Sequence, residues 1–171
     1  DIKNIVVLGG DGTINEVING IDDFSSVLLG YIPAGSSNDL AKGLNLPKDP
    51  VKALEAILKP SRFKYLDLGE MTFKNNELPP RKFACSSGIG YDADVCARVQ
   101  KSIWKKRLNR IKAGKFVYII LAIKQLLAAE RSDATVIIDG VRKESYKKVL
   151  YISSMIHKYE GGGLKMAPHA D

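Results

Sequence analysis

The chain has 171 residues, a formal net charge of +7 and the apolar content of a folded protein, which excludes a disordered chain. Its longest apolar stretch, Phe116 to Ile123, falls short of the roughly 20 residues that a membrane-spanning helix needs. The positive charge attracts anions such as nucleotides, nucleic acid or an anionic membrane, without choosing among them. Because no signal peptide opens the chain, we expect a cytoplasmic protein in which Cys85 and Cys96 are reduced core thiols.

Strands and helices alternate over the first part of the chain. The predicted strands are residues 5–8 and 27–32, and the helices that follow them are residues 14–21 and 40–44. A third helix begins at Pro50 with Asp49 as its cap, and the apolar spacing predicts an inner face of Val51, Leu54 and Leu58. This alternation indicates a parallel sheet and an α/β fold.

The pattern changes near Arg62. The predicted elements beyond it are strands at residues 63–73, 82–87, 134–138 and 149–156, and helices at residues 93–109 and 115–130. Asp139-Gly140 between apolar runs is a strong hairpin signal. We therefore predict an antiparallel β-rich domain with a helical insert over residues 61–171, after a first domain over residues 1–60. Both ends look cut, because a two-stranded parallel sheet cannot bury both of its faces.

Gly9-Gly10-Asp11-Gly12-Thr13 lies where a strand passes into a helix. Glycines let the backbone approach a phosphate, and the N-terminus of a helix favours negative charge. Asp11 suits such a site if Mg²⁺ bridges its carboxylate to the phosphate. A structural alternative explains two residues only, since Thr13 and Glu16 have the spacing of a capping box.

A second polar loop, Pro33 to Asp39, follows the second predicted strand. Ligands of open α/β sheets bind at this edge, where the strands end. The side chains of Ser37, Asn38 and Asp39 are candidates for contacts with phosphate or substrate oxygens. The alternative is a helix cap made by the same residue types.

Four segments together resemble the diacylglycerol kinase catalytic family, which includes soluble bacterial lipid kinases and, more distantly, sphingosine and ceramide kinases. In family order they are Gly9 to Thr13 with Asn15-Glu16, Pro33 to Ala41, Ser87 to Ala93, and Tyr159 to Pro168. A single Gly-Gly-Asp-Gly-Thr segment is weak support, whereas all four, spread over nearly the whole chain, are strong support.

The resemblance implies an ATP-dependent kinase that phosphorylates a lipid hydroxyl such as that of diacylglycerol, with a partial Rossmann-like nucleotide-binding domain first. It assigns ATP binding to Gly9, Gly10, Asp11, Gly12, Thr13, Ile14, Asn15, Glu16 and Ser36, while the Mg²⁺ site at Asp11 is predicted from the carboxylate beside a phosphate. Many family members have threonine at the position of Ser36. The family's Asn-Pro-x-Ser-Gly loop is expected before Asp1. Its structural Mg²⁺ element and acidic catalytic base are expected after Pro168, so Asp139-Gly140 is not that element.

Lysines and arginines concentrate between Lys101 and Lys115, around Trp104. We predict that this run meets an anionic membrane peripherally, because basic residues near the surface each contribute about 1 kcal/mol. A solvated helix face is the alternative. No recognition motif supports nucleic acid as a partner, and a homodimer is kept open. Two other functions remain: a kinase resembling NAD kinase, which shares the Gly-Gly-Asp-Gly-Thr loop, and a non-catalytic nucleotide- or membrane-binding module.

Overall fold

The computed structural model describes residues 3–74, 78–91, 93–94, 126 and 129–170. The chain has a mixed α/β fold and divides into two compact units, one of Asp1–Ser87 with Ser154–Asp171 and one of Gly88–Ser153. The predicted division at about residue 60 stays a prediction. Cys96, the basic run from Lys101 to Lys115 and nearly all of the two helices predicted between residues 93 and 130 lie outside the described residues.

The described elements follow the chain in this order: β1 (Asn4–Gly9), α1 (Asp11–Asn19), β2 (Leu28–Pro33), α2 (Asp39–Gly43), α3 (Pro50–Leu58), β3 (Gly69–Met71), β4 (Arg81–Phe83), β5 (Ser86–Gly90), β6 (Ser132–Ile138), β7 (Arg142–Val149), β8 (Tyr151–Met155), β9 (Tyr159–Glu160) and β10 (Leu164–Lys165). In the part of the chain that the structure describes, no helix is both long and apolar enough to span a membrane.

The predicted parallel sheet is confirmed for its first two strands. β1 and β2 pair in parallel, with Val7 opposite Tyr31. Val7 and Tyr31 are buried on one face of this pair and form the core with Ile14 and Ile18 of α1 and Leu40 of α2. The helix after each strand is therefore anchored on the same core, which fixes where both strand-to-helix loops lie.

The opposite face of the pair carries α3, and here the predicted inner face is wrong. Val51 is 64% exposed and Leu58 is 70% exposed, whereas Ala53 is only 2% exposed. Close packing explains the difference, because a Cβ added to Gly30 of β2 would lie 2.9 Å from the Ile57 side chain. Gly30 thus makes room for Ile57, the helix lies close to the strand, and Ala53 becomes the buried residue; apolar spacing alone does not reveal this.

The antiparallel character predicted after residue 60 is confirmed, with shorter strands than expected. β3 pairs with β4, β5 with β8, β6 with β7 and β9 with β10. Of the strand predicted over residues 63–73, only Gly69–Met71 forms one. A bend at Ala84 and Cys85 divides the strand predicted over residues 82–87 into β4 and β5. The predicted hairpin at Asp139-Gly140 is present between β6 and β7.

The packing of α3 can be tested by substitution. Ala53→Leu should lower the free energy of unfolding by about 1–3 kcal/mol, since the added carbons have no room beside β2. Leu58→Ser removes an exposed side chain and should change it by less than about 0.5 kcal/mol. Chemical denaturation of both variants measures the difference. If Leu58→Ser loses more unfolding free energy than Ala53→Leu, the inner face predicted from the sequence is the correct one.

Candidate functional site

The loops that follow β1 and β2 touch each other directly. The Ala34 N–H donates to the Gly9 carbonyl at 2.7 Å. A Cβ added to Gly10 would lie 3.0 Å from the Gly35 Cα, and a Cβ added to Gly35 would collide with the Gly10 Cα. Neither position can carry a side chain without separating the loops, so the close approach explains two glycines of the motifs.

The first turn of α1 differs from the prediction. The helix begins at Asp11 with Gly10 as its N-cap, and no side chain caps it. Thr13 therefore lies inside the helix, and the predicted capping box of Thr13 and Glu16 is wrong. The Thr13 side chain instead faces Gly9, where an added Cβ would lie 2.5 Å from its hydroxyl oxygen. The glycines before the helix let it begin three residues earlier than a threonine cap would.

The Asp11 carboxylate accepts hydrogen bonds from the N-terminus of the neighbouring helix α2. One oxygen accepts the Asp39 N–H at 2.9 Å and the other accepts the Leu40 N–H at 3.1 Å. Both donors belong to the first turn of α2, whose N-terminal N–H groups have no partners within the helix. Asp11 thus acts as a cap supplied from 28 residues earlier in the sequence, and its charge lies at the positive end of α2.

Asn38 and Asp39 also form hydrogen bonds within the protein. Asn38 adopts a left-handed backbone conformation, accepts the Gly35 N–H at 2.9 Å and donates to the Gly35 carbonyl at 2.8 Å. Asp39 is only 6% exposed and pairs with Lys42 at 3.2 Å. Its other oxygen accepts the Gly162 N–H at 2.9 Å. These two predicted substrate residues therefore hold the second loop and join it to the glycine-rich turn.

Other predicted residues face outward. Gly12, Thr13, Glu16 and Ser36 are exposed, and Ser37 is half-buried. Gly12 is distinctive, because a Cβ added there would meet no atom within 4 Å. Packing within the described chain therefore gives no reason for glycine at this position, in contrast to Gly10 and Gly35.

A cavity of about 300 Å³ opens beside Asp11. Its lining combines polar, basic and apolar side chains: Asp11, Ile14, Asn15, Met71, Arg81, Lys82, Phe83, Ala84, Cys85, Ser86 and Ser87. The Lys82 ammonium is already engaged, since it donates to the Ile21 carbonyl at 3.2 Å and lies 5.1 Å from the centre of the Phe24 ring. The cavity thus offers an apolar wall next to a carboxylate.

Burial and negative charge act together beneath this site. Burial raises the pKa of Cys85 to about 12, and the charges of Asp11, Asp39 and Glu160 add to the shift. Burial, followed by the Asp11 charge, also raises the pKa of Tyr31. The Tyr31 hydroxyl is buried and makes no hydrogen bond within the described residues. Cys85 is thus a free, half-buried thiol packed against the core, and its raised pKa favours the protonated form at neutral pH.

Several residues that shape the site were missed by sequence reasoning. Asn19 exchanges two hydrogen bonds with the backbone of Lys82, each at 2.8 Å, and so ties α1 to β4. The Ser86 hydroxyl donates to Glu160 at 2.6 Å. No local pattern marks these contacts, because the partners are more than 60 residues apart.

The prediction that Asp11 binds Mg²⁺ stays a prediction. Among the described residues, no group of three or more His, Cys, Asp and Glu side chains is placed to hold a metal ion. A carboxylate offers about four lone-pair positions, and backbone N–H groups take two of those on Asp11. The remaining positions suit a cation whose other ligands are water and phosphate oxygens, as is usual for Mg²⁺.

Comparison with known proteins confirms the resemblance. Residues 1–71 match the family model of the diacylglycerol kinase catalytic domain. The chain is 26% identical over 171 residues to "Putative lipid kinase YtlR" of Bacillus subtilis, covering 99% of this chain and 55% of that protein. It is 30% identical over 141 residues to "Diacylglycerol kinase" of Staphylococcus carnosus, covering 82% of this chain and 42% of that protein.

Solved structures agree with the sequence relatives. A structure described as "A putative diacylglycerol kinase from Bacillus anthracis str. Sterne" superimposes with a TM-score of 0.65 at 26% identity, covering 95% of this chain and 50% of that one. The resemblance to the diacylglycerol kinase catalytic-domain family is thus shown by the family model, the relatives and the fold. The chain spans about half the length of the curated relatives it matches.

The role of Asp11 as a cap predicts a stability effect. Asp11→Asn leaves one acceptor oxygen and turns an amide N–H toward the second donor, so the free energy of unfolding should fall by about 1–2 kcal/mol. Asp49→Asn is the matched control, because Asp49 caps α3 through a single bond to the Lys52 N–H that asparagine can also accept. Denaturation of both variants measures the difference. Equal losses would show that the second hydrogen bond of Asp11 contributes nothing.

The raised pKa of Cys85 predicts a loss of stability in alkali. Above its ordinary pKa of 9.0 the thiol ionises in the unfolded chain, while the native thiol keeps its proton until about pH 12. Between pH 8 and 10.5, the parent protein should lose about 2 kcal/mol more unfolding free energy than Cys85→Ala. Urea titrations of both proteins at the two pH values provide the measurement. Parallel pH profiles would contradict the buried, protonated thiol.

Proposed function

We propose that the protein is an ATP-dependent lipid kinase, which transfers the γ-phosphate of ATP to a lipid hydroxyl such as that of diacylglycerol. One observation carries the proposal: the Gly-Gly-Asp-Gly-Thr loop is held against the second loop by Asp11 and Gly35, yet its outer edge at Gly12 is open. The names of the relatives support the same activity. Because the chain spans about half of those relatives, the activity of the whole protein is part of the proposal.

The open position at Gly12 fits a phosphate. Gly12 lies in the first turn of α1, where backbone N–H groups point outward and the helix dipole favours an anion. The absence of protein atoms around an added Cβ explains the glycine only if something else approaches the backbone there. The proposed ATP site comprises Gly9 to Glu16 and the exposed Ser36, with the β1–β2 pair and its two flanking helices serving as the Rossmann-like base.

Charge near the loops gives Mg²⁺ a role. Asp11, Asp39 and Glu160 all act on Cys85, and Lys42 pairs with Asp39. A triphosphate adds further negative charge, so a divalent cation between Asp11 and the phosphates would offset the repulsion. Bound there, Mg²⁺ would supply charge neutralisation to the transferred phosphoryl group.

The cavity beside Asp11 is the proposed place for the acceptor. Met71 and Phe83 offer apolar surface for the lipid, and Ser86 and Ser87 offer hydroxyls for its polar part. In the transfer, the acceptor oxygen bonds to the γ-phosphorus, the bond from that phosphorus to the bridging oxygen of ADP breaks, and the hydroxyl proton passes to a base. The resemblance implies an acidic residue after Pro168 for that last role.

The two other functions considered from the sequence lack such support. The relatives described above are named lipid or diacylglycerol kinases, not NAD kinases. A non-catalytic nucleotide-binding module would share the open Gly12, so the acceptor cavity beside Asp11 is the feature that favours the kinase over it. The cytoplasmic location, the peripheral membrane association and a homodimer belong to the proposal as well.

Substitutions at Gly12 should change the affinity for ATP without lowering the stability of the fold. Gly12→Ala should leave stability equal or raise it by up to about 1 kcal/mol, because alanine is the better helix residue. Its methyl group would occupy the phosphate position, so the Kd for ATP should rise at least about tenfold. Gly12→Val should abolish binding. Calorimetric titration with Mg·ATP on full-length protein provides the measurement.

Gly20→Ala is the matched control for this substitution. Gly20 follows the other end of α1, and an added Cβ there makes only ordinary contacts, 3.5 Å from the nearest atom. ATP affinity should be unchanged in this variant. If Gly12→Ala and Gly20→Ala bind ATP equally well, the phosphate does not lie at the N-terminus of α1.

A separate assay tests the reaction itself. It measures transfer of radiolabelled phosphate from ATP to diacylglycerol, sphingosine, phosphatidylglycerol and NAD.

A further inference from the structure

The β6–β7 hairpin ends in an exposed apolar tip. Ile137 is 61% exposed, Ile138 is 38% exposed and Val141 is 84% exposed. Asp139 and Gly140 both have positive φ angles, and the Val141 N–H donates to the Ile138 carbonyl at 3.1 Å. Because Ile138 pairs with Arg142, the connection has three residues, Asp139 to Val141, and its shape is set by its backbone. The tip is therefore a fixed apolar projection.

Each exposed isoleucine has a cation directly opposite it on the neighbouring strand. Lys143 pairs with Ile137, and Arg142 pairs with Ile138. Successive residues of a strand point to opposite faces, so each face of the hairpin carries one isoleucine beside one cation. Arg142 also forms an ion pair with Glu144, which lies two residues farther from the tip on the same strand. Apolar and basic groups thus alternate around the end of the hairpin.

This arrangement suits an anionic bilayer better than another protein. Three apolar residues on a two-stranded ribbon cover far less than the roughly 1,000 Å² that a specific protein interface needs. At a bilayer surface, by contrast, small apolar side chains enter the boundary between headgroups and acyl chains. Lysine and arginine then extend their stems so that the charged ends meet lipid phosphates.

We propose that the β6–β7 hairpin is a membrane-docking element, which inserts Ile137, Ile138 and Val141 among anionic lipid headgroups while Arg142 and Lys143 contact the phosphates. The choice of a lipid surface rests on the proposed function, and the docking residues rest on the hairpin itself. Asp139 opposes the docking, because the turn places its carboxylate at the same tip. Because the anionic surface repels this carboxylate, removing its charge should strengthen membrane binding, which can be measured.

Co-sedimentation of the full-length protein with vesicles tests the docking. The vesicles contain either a phosphatidylcholine–phosphatidylglycerol mixture or phosphatidylcholine alone, and binding is expected to the anionic vesicles only. Ile137→Thr with Val141→Thr keeps branched residues suited to a strand and should weaken that binding at least about tenfold. Lys143→Gln should weaken it roughly fivefold. Asp139→Asn keeps a residue suited to the turn and should strengthen it.

Val51→Thr is the matched control. Val51 is an exposed apolar residue, at 64%, but it lies on α3 and not on the hairpin. This variant should leave vesicle binding unchanged. Unchanged binding by the double threonine variant, or equal binding by Asp139→Asn and the parent, would overturn the docking. The same holds if the parent prefers neither vesicle. If a second copy or another segment of the protein covers the tip, the double variant shifts the oligomeric mass or the melting temperature and leaves vesicle binding unchanged, which also overturns it.

A parallel assay keeps this inference separate from the proposed function. Phosphorylation of diacylglycerol presented in detergent micelles does not need docking to a bilayer, so the double threonine variant should retain the activity of the parent there. If the parent binds vesicles through the hairpin but phosphorylates no lipid, the kinase assignment is wrong and the docking stands. If the parent phosphorylates diacylglycerol in micelles but does not bind vesicles through the hairpin, the docking is wrong and the kinase assignment stands.

Discussion

The carboxylate of Asp11 is the contact on which the candidate site depends. Asp11 is the first residue of α1, and its two oxygens accept the first N–H groups of α2. A five-residue helix such as α2 is too short to be stable by itself. The aspartate therefore supplies the missing end of a second helix, and the polar loop in front of that helix takes its position from the glycine loop.

Close backbone packing works with that hydrogen-bonded cap. Gly10 and Gly35 let the two loops touch, and Asn38 closes the second loop onto the Gly35 backbone through both ends of its amide. Asp39 then extends the assembly to Gly162 in the glycine-rich turn. Three motifs that are far apart in sequence are thus joined by hydrogen bonds from carboxylate and amide side chains to backbone groups. Such cross-linking suits the proposed phosphoryl transfer, which depends on positioning more than on covalent chemistry by the protein.

Sequence reasoning succeeded where the signal is local. The strand, turn and helix around the glycine loop, the parallel pairing and the hairpin at Asp139 follow from apolar periodicity and turn residues. It failed at one helix boundary, since the glycines before Thr13 allow an earlier start than the predicted capping box. It also failed where the outcome depends on distant partners: Ile57 packs on Gly30 of β2, and α3 buries Ala53 instead of the predicted face. No spacing rule shows that Asp11 meets a helix 28 residues later.

The charge balance of the site follows from these structural roles. Asp11, Asp39 and Glu160 are held near one another because each bonds a different part of the fold: α2, the glycine-rich turn and β5. Packing has therefore concentrated carboxylates where the resemblance implies a triphosphate, and their charges raise the pKa of the half-buried Cys85 thiol. Anions bind poorly in such a field unless a cation accompanies them. Under the proposed function, the carboxylates that build the fold therefore add to the repulsion that a divalent cation would offset. An added Cβ at Gly12 meets no atom within 4 Å, so the proposed phosphates would approach the helix there without displacing any contact of the described chain.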